Sequence, residues 1–149
     1  MKKLVTVLTA AVMLFSSFAF ATDSDKVNAR VRNAFVNDFS NAAGVSWEKT
    51  SDFYFATFTI NHIEVNAAYN DAGELLGTSR PLESNQLPIS ITLALAKKYD
   101  GYTVSKKALE LTFEGDTRYY VTVSNDRQAL KLKCSVSGNI DVERKIKKK

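Results

Sequence analysis

The chain is poor in the residues that build cross-links and metal sites. It has one cysteine, one histidine and two prolines among 149 residues. A single cysteine excludes a disulfide within the chain, and a single histidine, His62, excludes a two-histidine metal site of the HExxH type. The sequence also has no glycine-rich phosphate loop and no nucleophile-elbow motif. These absences predict a domain stabilised by a packed core, without an enzymatic motif and without a cofactor.

The first 21 residues have the pattern of a secretory signal peptide. Lys2 and Lys3 precede an apolar run from Leu4 to Phe18, and Ala19-Phe20-Ala21 supplies a small-x-small cleavage site. An uncleaved membrane anchor is the alternative, but the run is short and is diluted by threonine and serine. No cysteine follows the cleavage site, so no lipid attachment point is available. We therefore expect a periplasmic protein that begins at Thr22, with release to the medium as the alternative.

Positive charge is concentrated at the C-terminus. The formal net charge is +4, but five basic residues lie among the last six: Arg144, Lys145, Lys147, Lys148 and Lys149. Without them, acidic residues outnumber basic ones in the rest of the mature chain. A body of this charge argues against nucleic-acid binding, which usually needs a basic face. The tail fits a solvated end, with contact to an anionic membrane surface as the alternative. No transmembrane segment is expected after signal removal.

The first half of the mature chain reads as a helix followed by strands. Residues 22–41 form the predicted helix, since Val27, Val31, Phe35 and Phe39 recur every four residues. Aspartate and serine at positions 23–25 are the predicted N-terminal caps. Alternation and β-branched residues then predict strands over residues 45–49, 53–60, 64–70 and 74–79. The turns between them are predicted at residues 61–62 and 70–73.

The second half repeats this order. A helix is predicted from Leu87-Pro88 through Ile91, Leu95 and Tyr99, with the proline near its first turn. Strands are predicted over residues 109–113, 118–124, 130–136 and 140–146.

One ungapped register supports an internal repeat. At an offset of 65 residues, Tyr54 aligns with Tyr119 and Gly73 with Gly138. The helices align at an offset of 60, which places Phe35 on Leu95. We therefore predict an α+β fold in which two tandem helix-plus-antiparallel-strand repeats, about residues 22–80 and 87–146, form one curved antiparallel sheet with both helices on one face.

Three stretches of the chain resemble the exported PepSY-like family. They are Val45-Ser46-Trp47-Glu48-Lys49 with residues 52–58, the run from Gly73 to Arg80, and the run from Leu87 to Tyr102. This family is also described as β-lactamase-inhibitor-like, because its fold is similar to that of β-lactamase inhibitor protein. The resemblance covers essentially the whole mature chain and implies the two-repeat fold. Its motifs are turns and core positions, the family as a whole lacks an established activity, and no inhibitory residue matches by motif.

Most residues with reactive side chains fit structural positions. Cys134 continues the alternation of Leu130 and Leu132, which predicts an inert buried thiol. The carboxylates alternate with core residues or lie in turns, as on a solvated face: Glu64, Glu74, Glu83, Glu110, Glu114 and Glu143. We expect no catalytic residue and no metal site, and a carboxylate-based enzyme remains the weakest alternative.

Aromatic residues on the face opposite the helices are the candidate binding feature. If Tyr54 and Phe58 face the helix, Phe53 and Phe55 lie on the other side of the sheet, and Tyr120 does the same in the second repeat. A sheet covered on one side leaves the other side open to solvent. We predict that Phe53, Phe55, Tyr120 and Trp47 are apolar anchors for an unknown protein or peptide of the cell envelope. Cover by a loop or by the chain end, or an inverted assignment of the two faces, is the alternative.

A small-ligand carrier is the other binding function that we consider. In that case the ligand would lie in a cleft between the sheet and a loop, and a deep apolar pocket would favour it over a shallow face.

Signal removal is testable on native protein. Because the basic start, the diluted apolar run and Ala19-Phe20-Ala21 match a cleaved signal peptide, we expect the intact mass of the purified protein to correspond to a chain starting at Thr22. The protein should be recovered in the soluble periplasmic fraction. A mass that includes residues 1–21, found in the membrane fraction, would contradict this prediction.

Overall fold

The structure is a computed structural model that describes residues 26–146. Its helices are α1 (Ala29–Asp38) and α2 (Ile89–Lys98). Its strands are β1 (Ala43–Lys49), β2 (Tyr54–Ile60), β3 (Ile63–Tyr69), β4 (Leu75–Glu83), β5 (Thr103–Phe113), β6 (Asp116–Ser124), β7 (Ala129–Ser135) and β8 (Ile140–Ile146). A short 3₁₀ turn, Ser84–Gln86, joins β4 to α2. The predicted signal peptide and the last three lysines lie outside the described residues.

The strands form one eight-stranded antiparallel sheet in which they follow sequence order from β1 to β8. This confirms the predicted α+β class. The chain divides into two compact units, the first ending at Ser79 and the second beginning at Arg80. The division falls within β4, which therefore contributes residues to both units.

The first unit buries one face of its strands beneath α1. Val31 and Phe35 of the helix pack on Trp47, Phe58 and a further set from the strands. That further set is Tyr54, Ala56, Ala67 and Tyr69. Phe35 is the centre of the aromatic packing, with ring centroids 4.9 Å from Phe58 and 5.2 Å from Trp47. The predicted alternation therefore assigns the helix-covered face correctly.

Helix α1 is shorter than the sequence predicts. It begins after Asn28, whose side-chain oxygen accepts a hydrogen bond of 2.9 Å from the amide of Val31. This is the N-cap position of α1, and the caps predicted at residues 23–25 lie outside the described residues. The helix ends at Asp38 rather than at residue 41, and Phe39 is its C-cap. Asn28 stops the helix because a capping side chain replaces the next intrahelical bond.

The second unit has an equivalent core beneath α2. Ile91 and Leu95 of the helix pack on Val121, Val123 and neighbouring strand residues. Those neighbours are Leu82, Leu87, Ala108, Tyr119, Leu130, Leu132 and Cys134. Helix α2 begins after Pro88, which is its N-cap. This core is aliphatic where the first is aromatic, so the repeat preserves burial and not residue type.

Two strands extend by four or more residues beyond their predicted bounds. β4 continues through Glu83, although the sequence predicts a polar connector after residue 80. β5 begins at Thr103 rather than at residue 109, and its pairing with β6 shifts between Val104 and Ala108. The shift leaves two extra residues in β5, and Val104 and Ala108 both still pair with core residues of β6, Val123 and Val121.

The β2–β3 hairpin closes as predicted at Asn61-His62. Both residues have positive φ, 49° and 64°, as a two-residue type I′ turn requires. His62 is exposed in this turn.

Each unit contains a close contact between a glycine turn and the first turn of its own helix. An ideal Cβ at Gly73 would lie 3.0 Å from the carbonyl oxygen of Arg30, and one at Gly138 would lie 2.7 Å from that of Ser90. Both glycines also have positive φ, 80° and 88°. Only glycine fits such a position, because it lacks Cβ and adopts left-handed conformations without strain.

A hydrogen bond strengthens the same contact in each unit. The Asn28 amide donates to the carbonyl oxygen of Asp71 at 3.1 Å, and the Ser90 hydroxyl donates to that of Val136 at 2.5 Å. Asp71 and Val136 are 65 residues apart, which is the offset that the sequence predicts for the strands. The glycine pair has the same offset, whereas Arg30 and Ser90 are 60 apart, as predicted for the helices. The repeat is therefore one of contacts as well as of residue pattern.

The glycine contact predicts unequal costs for two alanine substitutions. Gly115, in the β5–β6 turn, also has positive φ but would place its Cβ in open space. We expect Gly115→Ala to cost about 1 kcal/mol from backbone strain alone. Gly138→Ala should cost about 1–3 kcal/mol more, because its Cβ would overlap the helix backbone. Urea unfolding of both variants measures the difference. Equal losses would mean that the contact contributes nothing beyond the turn conformation.

Candidate binding surface

Each unit has a helix-free face, which is the side of its strands opposite the core under its own helix. In the first unit this face carries Phe55, Thr57, Asn66 and Ala68, since Tyr54, Ala56 and Phe58 lie in the core. In the second unit it carries Arg118, Tyr120, Thr122, Lys131 and Lys133, since Tyr119, Val121 and Leu132 lie in the core. This distribution agrees with the predicted alternation.

The two phenylalanines of the first unit differ in exposure. Phe53 precedes β2 and is partly exposed, whereas Phe55 is only 8% exposed. Their ring centroids are 6.3 Å apart. Phe55 lies between Glu48 of β1 and Ala68 of β3 in the strand register. The expectation that part of the Phe55 ring is accessible is wrong, because neighbouring side chains cover it.

Trp47 does not belong to the helix-free face. It is 7% exposed and lies in the core beneath α1, beside Phe35 and Tyr69. Its strand pairs Trp47 with Ala56, a core residue of β2, and so turns the indole toward the helix. The prediction of Trp47 as a surface anchor is therefore wrong.

Tyr120 lies on the helix-free face of the second unit but is only 4% exposed. The ammonium nitrogen of Lys131 is 5.3 Å from the centroid of its ring. Burial raises the pKa of Tyr120 to about 12, so the phenol is neutral at all physiological pH values. The expected partial exposure of this ring is wrong, because long cationic side chains cover apolar surface with their aliphatic stems.

A polar row beside Phe55 was only partly apparent in the sequence. Ser46, Thr57, Asn66 and Ser79 are successive partners across β1 to β4. The Thr57 hydroxyl donates to the Asn66 side-chain oxygen at 2.7 Å. Ser79 is 2% exposed, and its hydroxyl has no hydrogen-bond partner in the part of the chain that the structure describes. The sequence analysis missed Ser79, because β4 was expected to end there.

Leu111 is a second residue whose side of the sheet differs from expectation. Its alternation with Leu109 and Phe113 suggested a core position. In the structure it pairs with Arg118, on the helix-free face, and is 2% exposed. Pairing with β6 sets this side: Ala108 and Glu110 lie opposite the core residues Val121 and Tyr119, which leaves Leu109 and Leu111 on the other side.

An open groove lies on the other side of the second unit. It has a volume of about 400 Å³ and is lined by Leu87, Leu95, Tyr99, Asp100 and Tyr102, among others. The rings of Tyr99 and Tyr102 meet edge to face at 5.5 Å, and Gln128 donates to the Tyr102 hydroxyl at 2.6 Å. The groove is apolar but open, so it would hold a ligand on one side only.

The side chains that could be reactive are buried or hydrogen-bonded to structural partners. Cys134 is fully buried in the second core, and burial raises its pKa to about 11. Glu110 accepts a hydrogen bond of 2.7 Å from Arg80, which lowers the pKa of that carboxyl. The Tyr69 hydroxyl donates to Asp38 at 2.9 Å, and burial together with this bond raises the pKa of Tyr69. Each of these groups is buried in a core or hydrogen-bonded to a neighbouring side chain, and none of them forms a nucleophile–base pair.

Two further searches concern residues 26–146 alone. Within that range no group of three or more histidine, cysteine, aspartate or glutamate side chains is placed to hold a metal ion. In the same range, neither helix has the length and hydrophobicity needed to cross a membrane.

Comparisons with known proteins identify the fold. No protein-family model matches the sequence, and no functionally curated protein matches it. Among solved structures, a BLIP-like protein from Bacteroides fragilis is 21% identical, with a TM-score of 0.68 over 88% of this chain and 91% of that one. A DUF2874 family protein from Bacteroides uniformis is 20% identical, with a TM-score of 0.67 over 80% and 88%.

A third solved structure has the same fold and a provisional location. It is a protein from Bacteroides eggerthii, described provisionally as periplasmic, with 17% identity and a TM-score of 0.66 over 81% of this chain and 88% of that one. The fold of this chain is therefore BLIP-like, as the resemblance to the β-lactamase-inhibitor-like fold implies. At these identities the likeness establishes the fold alone.

The burial of Cys134 predicts slow thiol chemistry in the folded protein. The thiolate is the reactive form, and a pKa near 11 leaves little of it at pH 8. We expect native protein to react with a thiol reagent at least about 100-fold more slowly than urea-unfolded protein. Cys134→Ala should lose about 1–2 kcal/mol of stability from the cavity it leaves. Rapid labelling of native protein would overturn the structural role of this thiol.

Proposed function

We propose that this chain is a non-catalytic periplasmic module that binds a protein or peptide through the helix-free face of its sheet. Phe53 is the accessible anchor in the first unit, and the buried ring of Phe55 packs against it. Tyr120 forms the equivalent apolar centre of the second unit. The PepSY-like resemblance and the leader-like residues 1–21 fit an exported binding protein, as do the provisional location of the Bacteroides eggerthii structure and the name of the BLIP-like one.

The observation that carries this proposal is the composition of the helix-free face in the first unit. A sheet with a helix on one side needs apolar residues on that side only. Here the other side also carries Phe53, Phe55 and Ala68, next to the neutral polar row that includes Thr57 and Asn66. Apolar anchors beside neutral hydrogen-bonding groups are the usual composition of a protein-binding patch.

A small-ligand carrier is the second candidate, and the groove of the second unit favours it. The volume of about 400 Å³ is within the usual range for ligand sites. Such sites normally enclose most of the ligand surface, which an open groove does not do. We therefore place protein binding ahead of ligand transport.

Photo-crosslinking from single positions tests the binding face. Phe53 is replaced by p-benzoylphenylalanine in the full exported chain, and cells are irradiated before periplasmic extraction. The control places the same residue at Val36, which is 62% exposed on α1. We expect a discrete crosslinked partner from position 53 and none from position 36. Equal crosslinking from both positions would contradict a specific face.

Alanine substitutions separate binding from stability. Phe53→Ala should weaken partner capture while costing less than about 1 kcal/mol of stability, because the ring is partly exposed. Phe55→Ala should cost about 3 kcal/mol, as for a buried phenylalanine. Val36→Ala is the matched control and should change neither. Undiminished capture by Phe53→Ala would remove this residue from the binding surface.

A further inference from the structure

The helix-free face of the second unit carries a cationic array around an apolar centre. Its cations are Arg118 of β6, Lys131 and Lys133 of β7, and Arg144 of β8. Arg144 lies opposite Lys131 in the strand register. They surround Tyr120, which lies opposite Lys133 in the register. The cations outnumber the acids near them, which are Asp116, Asp141 and Glu143.

Two of the four cations are already paired, and two are not. Arg118 forms an ion pair with Asp116 at 2.7 Å, and Lys131 with Glu143 at 3.2 Å. Lys133 and Arg144 form no ion pair with any residue that the structure describes. Lys133 faces Asp141 across the strands, but the two do not reach ion-pair distance. Positive charge therefore remains available beside the Tyr120 ring.

The spacing of these cations is that of an extended strand. Lys131 and Lys133 lie on the same side of β7, two residues apart, so their Cα atoms are about 6.6–6.8 Å from each other. Alternate side chains of any extended segment have the same separation. A segment lying along β7 on this face would therefore present every second side chain to a lysine.

We infer that the second unit binds an extended acidic segment of a partner protein, with carboxylates at alternate positions that meet Lys131 and Lys133. The inference rests on the proposed function, since it names the partner chemistry for the helix-free face of the second unit. Tyr120 lies beneath these lysines and is 4% exposed, so the segment would meet the charges and not the ring. Arg144, which lies opposite Lys131 on the same side of the strands, would add to the attraction for the acidic chain.

The ion pair between Lys131 and Glu143 provides two variants with opposite expected effects on peptide affinity. Glu143 competes with an incoming carboxylate for Lys131, so its removal should strengthen binding. Lys133 has no such competitor, so its removal should weaken binding. A surface that bound peptides non-specifically, or that was partly unfolded, would not gain affinity in one variant and lose it in the other.

The test measures binding of synthetic peptides to the mature chain by fluorescence anisotropy. The probe is a fluorescein-labelled peptide of alternating glutamate and threonine, and its control has glutamine in place of glutamate. We expect the glutamate peptide to bind at least about 10-fold more tightly than the glutamine peptide at low salt. Its affinity should fall at least about 5-fold at 0.5 M NaCl, where charges more than about 4–5 Å apart are screened.

Variants locate the site. Lys133→Glu should weaken the glutamate peptide at least about 5-fold, and Glu143→Gln should strengthen it about 2-fold. Lys97→Glu, on the exposed side of α2, makes the same change in net charge and should have little effect. Equal loss in Lys133→Glu and Lys97→Glu would reduce the effect to net charge and overturn the inference.

A membrane surface is the rival anionic partner. Vesicles containing phosphatidylglycerol are offered to the same variants in a co-sedimentation assay. Binding to vesicles without binding to the glutamate peptide would overturn the inference in favour of a lipid surface. A captured partner that is lost in Phe53→Ala but indifferent to Lys133→Glu and to salt would overturn it while leaving the proposed function intact.

Discussion

The contact between each glycine turn and the first turn of its helix is the constraint on which the remaining architecture depends. At Gly138 the backbone approaches the Ser90 carbonyl so closely that no Cβ fits, and the Ser90 hydroxyl bonds to the same turn. Gly73 and Asn28 do the same in the first unit. Because these contacts hold each helix by its N-terminus against one end of its strands, they determine which side of the strands it covers. The face left without a helix follows from them.

The repeat conserves this constraint and allows the cores to diverge. The first core is built around Phe35 and its edge-to-face contacts with Trp47 and Phe58. The second core places Leu95 at the corresponding helix position, among aliphatic residues and Cys134. Burial of apolar area drives both, and it is roughly proportional to area rather than to residue type. The close approach of each turn to the helix backbone does not tolerate a Cβ atom. Glycine therefore recurs in both units, although the core residues change.

Alternation in the sequence was sufficient to predict the class of fold and most strand faces. Val65, Ala67 and Tyr69 identified the covered side of β3, and the 65-residue offset related the two halves. Alternation failed at Leu111, because an apolar stripe along one strand does not show which side the helix covers, and pairing with Arg118 of β6 decides it. The prediction of Trp47 as an anchor failed because its strand pairs it with Ala56, a core residue, and so places the indole beneath α1. Strand ends failed because they depend on pairing with residues elsewhere in the chain.

The low exposure of Phe55 and Tyr120 could not be predicted from the sequence for a different reason. Alternation gives the side on which a ring lies, but accessibility depends on how far the neighbouring side chains reach. Lys131 reaches over the Tyr120 ring, and its amine is held by Glu143 at 3.2 Å. A buried ring beneath oriented cations recognises a partner differently from an exposed aromatic anchor. In the proposed complex the charges would meet the partner first, and the ring would lie beneath them. The first unit has the opposite arrangement, with Phe53 accessible and its neighbouring polar row, including Thr57 and Asn66, uncharged. The helix-free faces of the two units therefore differ in chemistry although their backbones repeat, and a partner that used both would need an apolar part and an acidic part.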